Sequence, residues 1–229
     1  MPRILAISDE IDRSLSVERL REIAPDIVVS CGDLPAGYLE RIADATNRRV
    51  LFVPGNHDPD LTPVKDRYAR SAASGDSGVS VGVPSFESLW EPDDRLPAGG
   101  ENLDLVVAET KGLRIAGVGG SIRYRPGPNQ YTDREMAKRV RRLVRRARRG
   151  RRGAGRLVDI VIAHSPPRDV GDGPDDPHRG FSAFHDLVAS LRPRYLLHGH
   201  VHPHGFDKPD RAMGDTTVVN VIPHRVLEI

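Results

Sequence analysis

Gly55-Asn56-His57-Asp58 sets an amide and an imidazole on a tight turn, directly after the apolar run Val50-Leu51-Phe52-Val53. Other residues able to hold a metal ion end other apolar runs: Asp9, Asp33, His164, and His200 with His202. Taken singly, Asp, Asn and Gly at such places are ordinary turn residues. Together they make a donor set of carboxylate and amide oxygens mixed with imidazoles, which suits Mn²⁺, Fe or Zn²⁺. It does not suit Ca²⁺, which favours all-oxygen shells. Six ligands exceed the need of one tetrahedral ion with an open position. They match two ions about 3.5–4 Å apart that share a carboxylate, a clamp for hydrolytic displacement at phosphorus.

The elements that must carry these residues follow from periodicity. Short apolar runs at 3–7, 26–31, 50–53, 157–163 and 195–197 read as buried strands. Helical spacing occupies 14–23, with Ser14 or Ser16 as cap, and 38–46, giving a β-α-β-α-β opening and a parallel, buried sheet. Residues 103–107 and 113–118 flank Lys111-Gly112 and predict a hairpin. Thr132-Asp133-Arg134-Glu135 is a capping box for a helix through about Ala147, and a further helix spans 181–191. Residues 217–222 and 226–229 predict the last strands. The Pro-, Gly-, Ser- and Asp-rich stretch from Asp60 to Gly100 reads as a long excursion, with a short helix near 64–72. No internal repeat or domain boundary is visible, so the chain is expected to be one domain over residues 1–229.

The order Asp9, Gly32-Asp33, Gly55-Asn56-His57-Asp58, His164 and Gly199-His200-Val201-His202 resembles the calcineurin-like metallophosphoesterases. That resemblance implies an α/β sandwich: two mixed β-sheets packed face to face and flanked by helices, in four layers. It also implies a di-metal site at the carboxyl ends of the strands. Asp33 would bridge the ions, Asn56, His164 and His200 would complete one, and Asp9 and His202 would bind the other. His57 would stand over the substrate as a general acid or phosphate contact, oriented by Asp58. A hydroxide activated by two divalent ions, manganese by preference, would hydrolyse phosphomonoesters or phosphodiesters.

One position departs from the pattern. The family's first motif is usually Asp-x-His, and here it reads Asp9-Glu10-Ile11. Isoleucine ligates nothing, so the ion at Asp9 and His202 lacks a ligand. Water can fill the gap and leave that ion weakly bound, Asp12 or Glu10 can substitute, or the site holds a single ion.

Other residues carry weaker signals. Arg123, Arg168 and Arg179 are candidate phosphate clamps on loops. The loop 121–131 mixes guanidinium, phenol and amide groups, a composition suited to substrate recognition as well as to a plain connection. Arg139, Arg142, Arg145, Arg146 and Arg149 recur at helical spacing within the basic run 138–156. No aromatic residue interleaves with them, so base stacking has no platform there and a solvated face is the expected role. Cys31 is expected in the core, and His178, His185, His198, His204 and His224 in structural or exposed positions.

Composition sets the remaining bounds. The 229 residues carry a net charge of +2, which makes no general case for nucleic acid or membrane as partner. The single cysteine excludes an intrachain disulfide and, with no apolar leader or spanning run, predicts a cytoplasmic protein. The expected partner is a small phosphate ester, with a nucleotide among the candidates. Two alternatives stand beside hydrolysis. One is a weakened nucleotide- or phosphate-binding protein on the same fold; the other is a nuclease using the arginine-rich helix.

Overall fold

The computed structural model describes residues 1–60, 96–149, 155–203, 205 and 209–229. The expected helix near 64–72, most of the excursion after Asp60, and His204 lie outside them.

Among the described residues, one sheet has five strands: β1 (Arg3–Ile7), β2 (Ile27–Ser30), β3 (Val50–Phe52), β4 (Gly100–Asn102) and β13 (His224–Glu228). Their order is β13-β1-β2-β3-β4. Strands β1 to β4 run parallel, and β13 closes the edge antiparallel to β1. A second sheet has six strands: β5 (Val107–Thr110), β6 (Leu113–Val118), β9 (Ile160–Ala163), β10 (Tyr195–His198), β11 (Arg211–Met213) and β12 (Thr216–Asn220). Their order is β11-β12-β10-β9-β6-β5. Its centre, β6-β9-β10-β12, is parallel and both its edges are antiparallel. Both sheets are therefore mixed, as expected.

Strand residues alternate between two apolar layers, which explains why the runs are apolar throughout rather than every second residue. Ile4, Ala6, Val29 and Leu51 meet Ile115, Ile160, Ile162 and Leu197 in a core between the sheets. On the outer side of the first sheet, Leu5, Ile7, Val28, Val50 and Phe52 pack with Leu20, Tyr38, Leu39 and Ile42. Those partners come from α1 (Val17–Ile23) and α2 (Ala36–Thr46). On the outer side of the second sheet, Ala116, Val118, Val161 and Ala163 pack with Met136, Val140, Leu143, Phe184 and Leu187. Those come from α3 (Asp133–Arg148) and α4 (Ala183–Leu191). The result is the four-layer arrangement. Cys31 belongs to the central layer and is fully buried.

The local signals mostly resolve as read. Ser16 caps α1 by accepting from the Arg19 amide, and the Thr132–Glu135 capping box opens α3. The hairpin forms around Lys111-Gly112, both at positive φ, but its first strand is Val107–Thr110 and not residues 103–107. Residues 103–106 instead turn: Leu105 has a φ of 57° and the Val106 amide donates to the Leu103 carbonyl. Strand β11 has no counterpart in the sequence reading, and its exposed pattern explains why no apolar signal marks it.

A candidate di-metal centre at the strand ends

Because β1, β2 and β3 run parallel, their exits deliver Asp9, Asp33 and Asn56 to one end of the first sheet. The parallel β9 and β10 deliver His164 and His200 to an end of the second. Face-to-face packing brings these ends together. One potential ligand atom from each of Asp9, Asp33, His164 and His200 lies within 4.8 Å of the others. Asn56 joins them, its Oδ1 being 2.9 Å from His164 Nε2.

The backbone is bent to make this convergence. Asp9, Asp33 and His200 sit at φ of 60°, 56° and 66°, the left-handed region that non-glycine residues rarely adopt. Such conformations cost of order 1–3 kcal/mol each and cluster where geometry serves function. The neighbouring glycines permit close approach. A Cβ on Gly55 would lie 2.0 Å from Asp33 Oδ1, and one on Gly199 would lie 2.1 Å from both Asp9 Oδ2 and Ser8 Oγ. The motif glycines are thus the space into which the carboxylates fit.

The imidazoles are aimed by carbonyl oxygens. His164 Nδ1 donates to the Cys31 carbonyl at 2.8 Å, which turns Nε2 toward Asn56 and toward Asp33 Oδ2 at 3.3 Å. His200 Nε2 donates to the Pro177 carbonyl at 2.7 Å, which leaves Nδ1 with the lone pair. The two rings lie 4.7 Å apart. Burial disfavours charge on His164, yet the Asp33 and Asp9 carboxylates outweigh it and push its pKa up to about 10. Burial and the charge on His164 push His200 down to about 3. The paired carboxylates therefore gather one positive charge around themselves, the electrostatic demand a divalent ion would meet.

The second half of the site is looser. Asp9 Oδ2 accepts from Ser8 Oγ at 2.5 Å and from the His200 amide at 3.0 Å. His202 Nε2 lies 3.8 Å from Asp9 Oδ1, and its Nδ1 donates to Glu10 Oε1 at 2.8 Å. Ile11 turns away and packs against the α1–α2 core layer. Asp12 is held elsewhere, accepting from the Ser14 amide and from His224. Of the two suggested substitutes for the missing histidine, only Glu10 reaches the site, and it does so through His202.

His57 is exposed at the mouth, while its amide donates to Asp33 Oδ1 at 2.8 Å. Asp58 does not orient the His57 ring, which corrects the expectation from sequence. Its Oδ2 accepts instead from the amides of Gly55 at 2.7 Å and Asp33 at 3.0 Å, tying the β2 and β3 exits together. The unpaired amides of two turns attract the carboxylate more strongly than a solvated imidazole can. Burial and the Asp33 charge push Asp58 up to about 6.

The suggested clamps are engaged away from the cluster. Arg123 pairs with Glu135 at 2.9 Å and donates to the Gln130 carbonyl. Arg168 donates to the Gly180 carbonyl and faces Asp133, and Arg179 faces Asp176. The loop 121–131 brings Tyr124 to the cluster, its hydroxyl accepting from Asn56 Nδ2 at 3.3 Å; sequence reasoning missed Pro177, whose contribution is a carbonyl that any residue could supply.

Two of the helix arginines are structural. Arg139 forks onto both Asp104 oxygens and stacks on Tyr131, and Arg146 donates to the Leu105 carbonyl. Arg142, Arg145 and Arg149 are exposed.

The sequence profile described as calcineurin-like phosphoesterase matches residues 2–204. The chain belongs to that family. Two solved structures are similar to this chain in fold. One crystal structure has 19% identity and a TM-score of 0.59, covering 96% of this chain and 90% of its own. The other, TT1561 of Thermus thermophilus, has 16% identity and a TM-score of 0.53, covering 96% and 88%. At such identities the likeness is one of fold. No curated protein matches the chain. The family is one of hydrolytic, divalent-metal phosphoesterases, and the Asp/His group at the strand ends can hold such a metal. No helix among the described residues is long and apolar enough to cross a membrane.

Proposed function

We propose that this phosphoesterase hydrolyses a small phosphate mono- or diester at two divalent ions, manganese being the metal its donor set suits best. The observation that carries the reading is the convergence of Asp9, Asp33, His164 and His200 within 4.8 Å, three of them on left-handed backbone. Asp33 would hold both ions, since a ligand atom of it lies within 4.8 Å of one from Asp9 as well as of those from His164 and His200. Asn56, His164 and His200 would complete one position. Asp9 and His202 would form the other, with the Glu10 carboxylate against His202 Nδ1.

Bound there, the ions would supply an activated water and neutralise charge on the phosphoryl oxygens. The chain itself does the rest. Carbonyl acceptors at Cys31 and Pro177 fix which nitrogen of each imidazole faces inward. Asp58 holds the two turns in register. His57 is free to turn over the ester and protonate the leaving oxygen.

The test is direct. Asp33→Asn and His200→Ala are expected to lose both Mn²⁺ binding and turnover of bis(p-nitrophenyl) phosphate and p-nitrophenyl phosphate. Full turnover by either variant would overturn the assignment, and the preferred ester of the wild type separates monoester from diester chemistry.

A further inference from the structure

A cavity of about 560 Å³ opens beside the candidate metal centre, lined by Arg123, Tyr124, Arg125, Pro126 and Gly127. It is joined to the centre through one side chain, since the Tyr124 hydroxyl accepts from Asn56 Nδ2. Its size falls in the range that holds a small organic ligand.

The wall of this cavity is anchored to the metal-binding turns. The Gly120 amide donates to the Pro54 carbonyl at 2.9 Å. Asn129 Nδ2 donates to the Asp58 and Pro59 carbonyls at 3.0 and 3.2 Å. Between these points β7 (Ser121–Ile122) pairs with β8 (Gln130–Tyr131). Gln130 Oε1 then accepts from the Tyr124 and Arg125 amides at 3.4 and 3.3 Å. The loop that carries Tyr124 and Arg125 is thus fixed at both ends and from within.

Its two arginines differ. Arg123 is spent on Glu135 and the Gln130 carbonyl. Arg125 is exposed, has no carboxylate partner among the described residues, and lays its guanidinium 5.3 Å from the centre of the Tyr124 ring. A flat aromatic surface and a cation with no carboxylate partner among the described residues therefore share one wall, next to the place where phosphorus would sit.

We propose that this cavity is the subsite for the organic half of the substrate, and that it takes a nucleotide. The base stacks on Tyr124 and Arg125, and a second phosphate pairs with the Arg125 guanidinium. A neutral alkyl group would leave the cation without a partner and the ring without a stacking face. The proposal rests on the phosphoesterase reading, because it requires one phosphoryl group at the strand ends.

The test uses the Mn²⁺-loaded full chain and three probes: inorganic phosphate, pyrophosphate and ADP, each titrated by calorimetry. ADP is expected to bind at least about tenfold tighter than pyrophosphate. The ratio of pyrophosphate to phosphate affinity should fall toward one in Arg125→Ala, and the ratio of ADP to pyrophosphate affinity should fall toward one in Tyr124→Leu, with both variants retaining the wild-type circular dichroism spectrum. ADP binding no tighter than pyrophosphate, or an unchanged ratio of pyrophosphate to phosphate affinity in Arg125→Ala, overturns the subsite. If inorganic phosphate binds and ADP gains nothing, the subsite alone falls. If phosphate itself fails to bind the metal-loaded protein, the phosphoesterase reading falls with it.

Discussion

Glu10 Oε1 lies 2.8 Å from His202 Nδ1, on the far side of the ring from Asp9, whose Oδ1 is 3.8 Å from Nε2. A carboxylate can only accept, so Nδ1 carries a proton and Nε2 is the nitrogen left to hold an ion. Glu10→Gln should therefore weaken the ion at Asp9 and His202 by about tenfold and leave the other ion alone, since outer partners of ligating histidines typically carry effects of that size. Mn²⁺ titration followed by electron paramagnetic resonance reads the two affinities. Two unchanged constants would remove Glu10 from the site.

Ile11 stands where the family's first motif usually has a histidine, and it packs against the α1–α2 layer. Ile11→His should tighten the weaker ion. It should also lower stability by about 1 kcal/mol, because an apolar contact with that layer is lost. Calorimetric metal titration and thermal melting measure both. Equal affinity in wild type and variant would show that the site has no ligand missing.

His57 and Asp58 are neighbours with different tasks, and substitution should separate them. His57→Ala is expected to slow an ester with a poor alkyl leaving group by roughly 10²–10⁴ and a p-nitrophenyl ester much less, as loss of a general acid does. Asp58→Ala should depress both esters equally, weaken metal binding, and cost about 2 kcal/mol through the stranded amides of Gly55 and Asp33. A leaving-group dependence for Asp58→Ala and none for His57→Ala would reverse the roles.

Gly199 has no room for a side chain, since an added Cβ would fall 2.1 Å from Asp9 Oδ2. Gly199→Ala should push Asp9 aside and lose metal affinity by an order of magnitude or more, with secondary structure retained. Wild-type affinity in this variant would mean that Asp9 is not a ligand.

Acid sensitivity should have a contribution from Asp12. Burial raises its pKa, but bonds from Ser14 and His224 outweigh this and hold the carboxyl below its ordinary value near 4. A depressed pKa stabilises the fold above the ordinary value, and that contribution is lost as pH falls through the folded one. Asp12→Asn should then cost about 1 kcal/mol at neutral pH and flatten the melting-temperature slope below about pH 4. Parallel slopes for wild type and variant would contradict it.

The site was legible where a residue's type announces its chemistry. Asp9, Asp33, Asn56, His164 and His200 end apolar runs, and parallel pairing of those runs leaves little freedom about where they meet. What could not be read is whatever depends on direction. Asp58 looks like a partner for His57 in sequence and turns to backbone amides in space. Arg139 and Arg146 share a spacing with exposed arginines and yet reach Asp104 and Leu105. Pro177 and Cys31 act through carbonyls, which carry no sequence signal. Strand β11 is exposed and lacks the alternation that betrays a buried strand.

The candidate ligands come from opposite sheets, Asp9 from the first and His200 from the second, 191 residues apart along the chain. An ion held between them is a tether across the central apolar layer, in a sequence whose single cysteine allows no disulfide to do the same. Folding and metal uptake would then be linked: neither sheet alone offers a site, and a bound ion would favour the packed pair by mass action. The metal would then add to the stability of the sandwich as well as supply the chemistry at its edge.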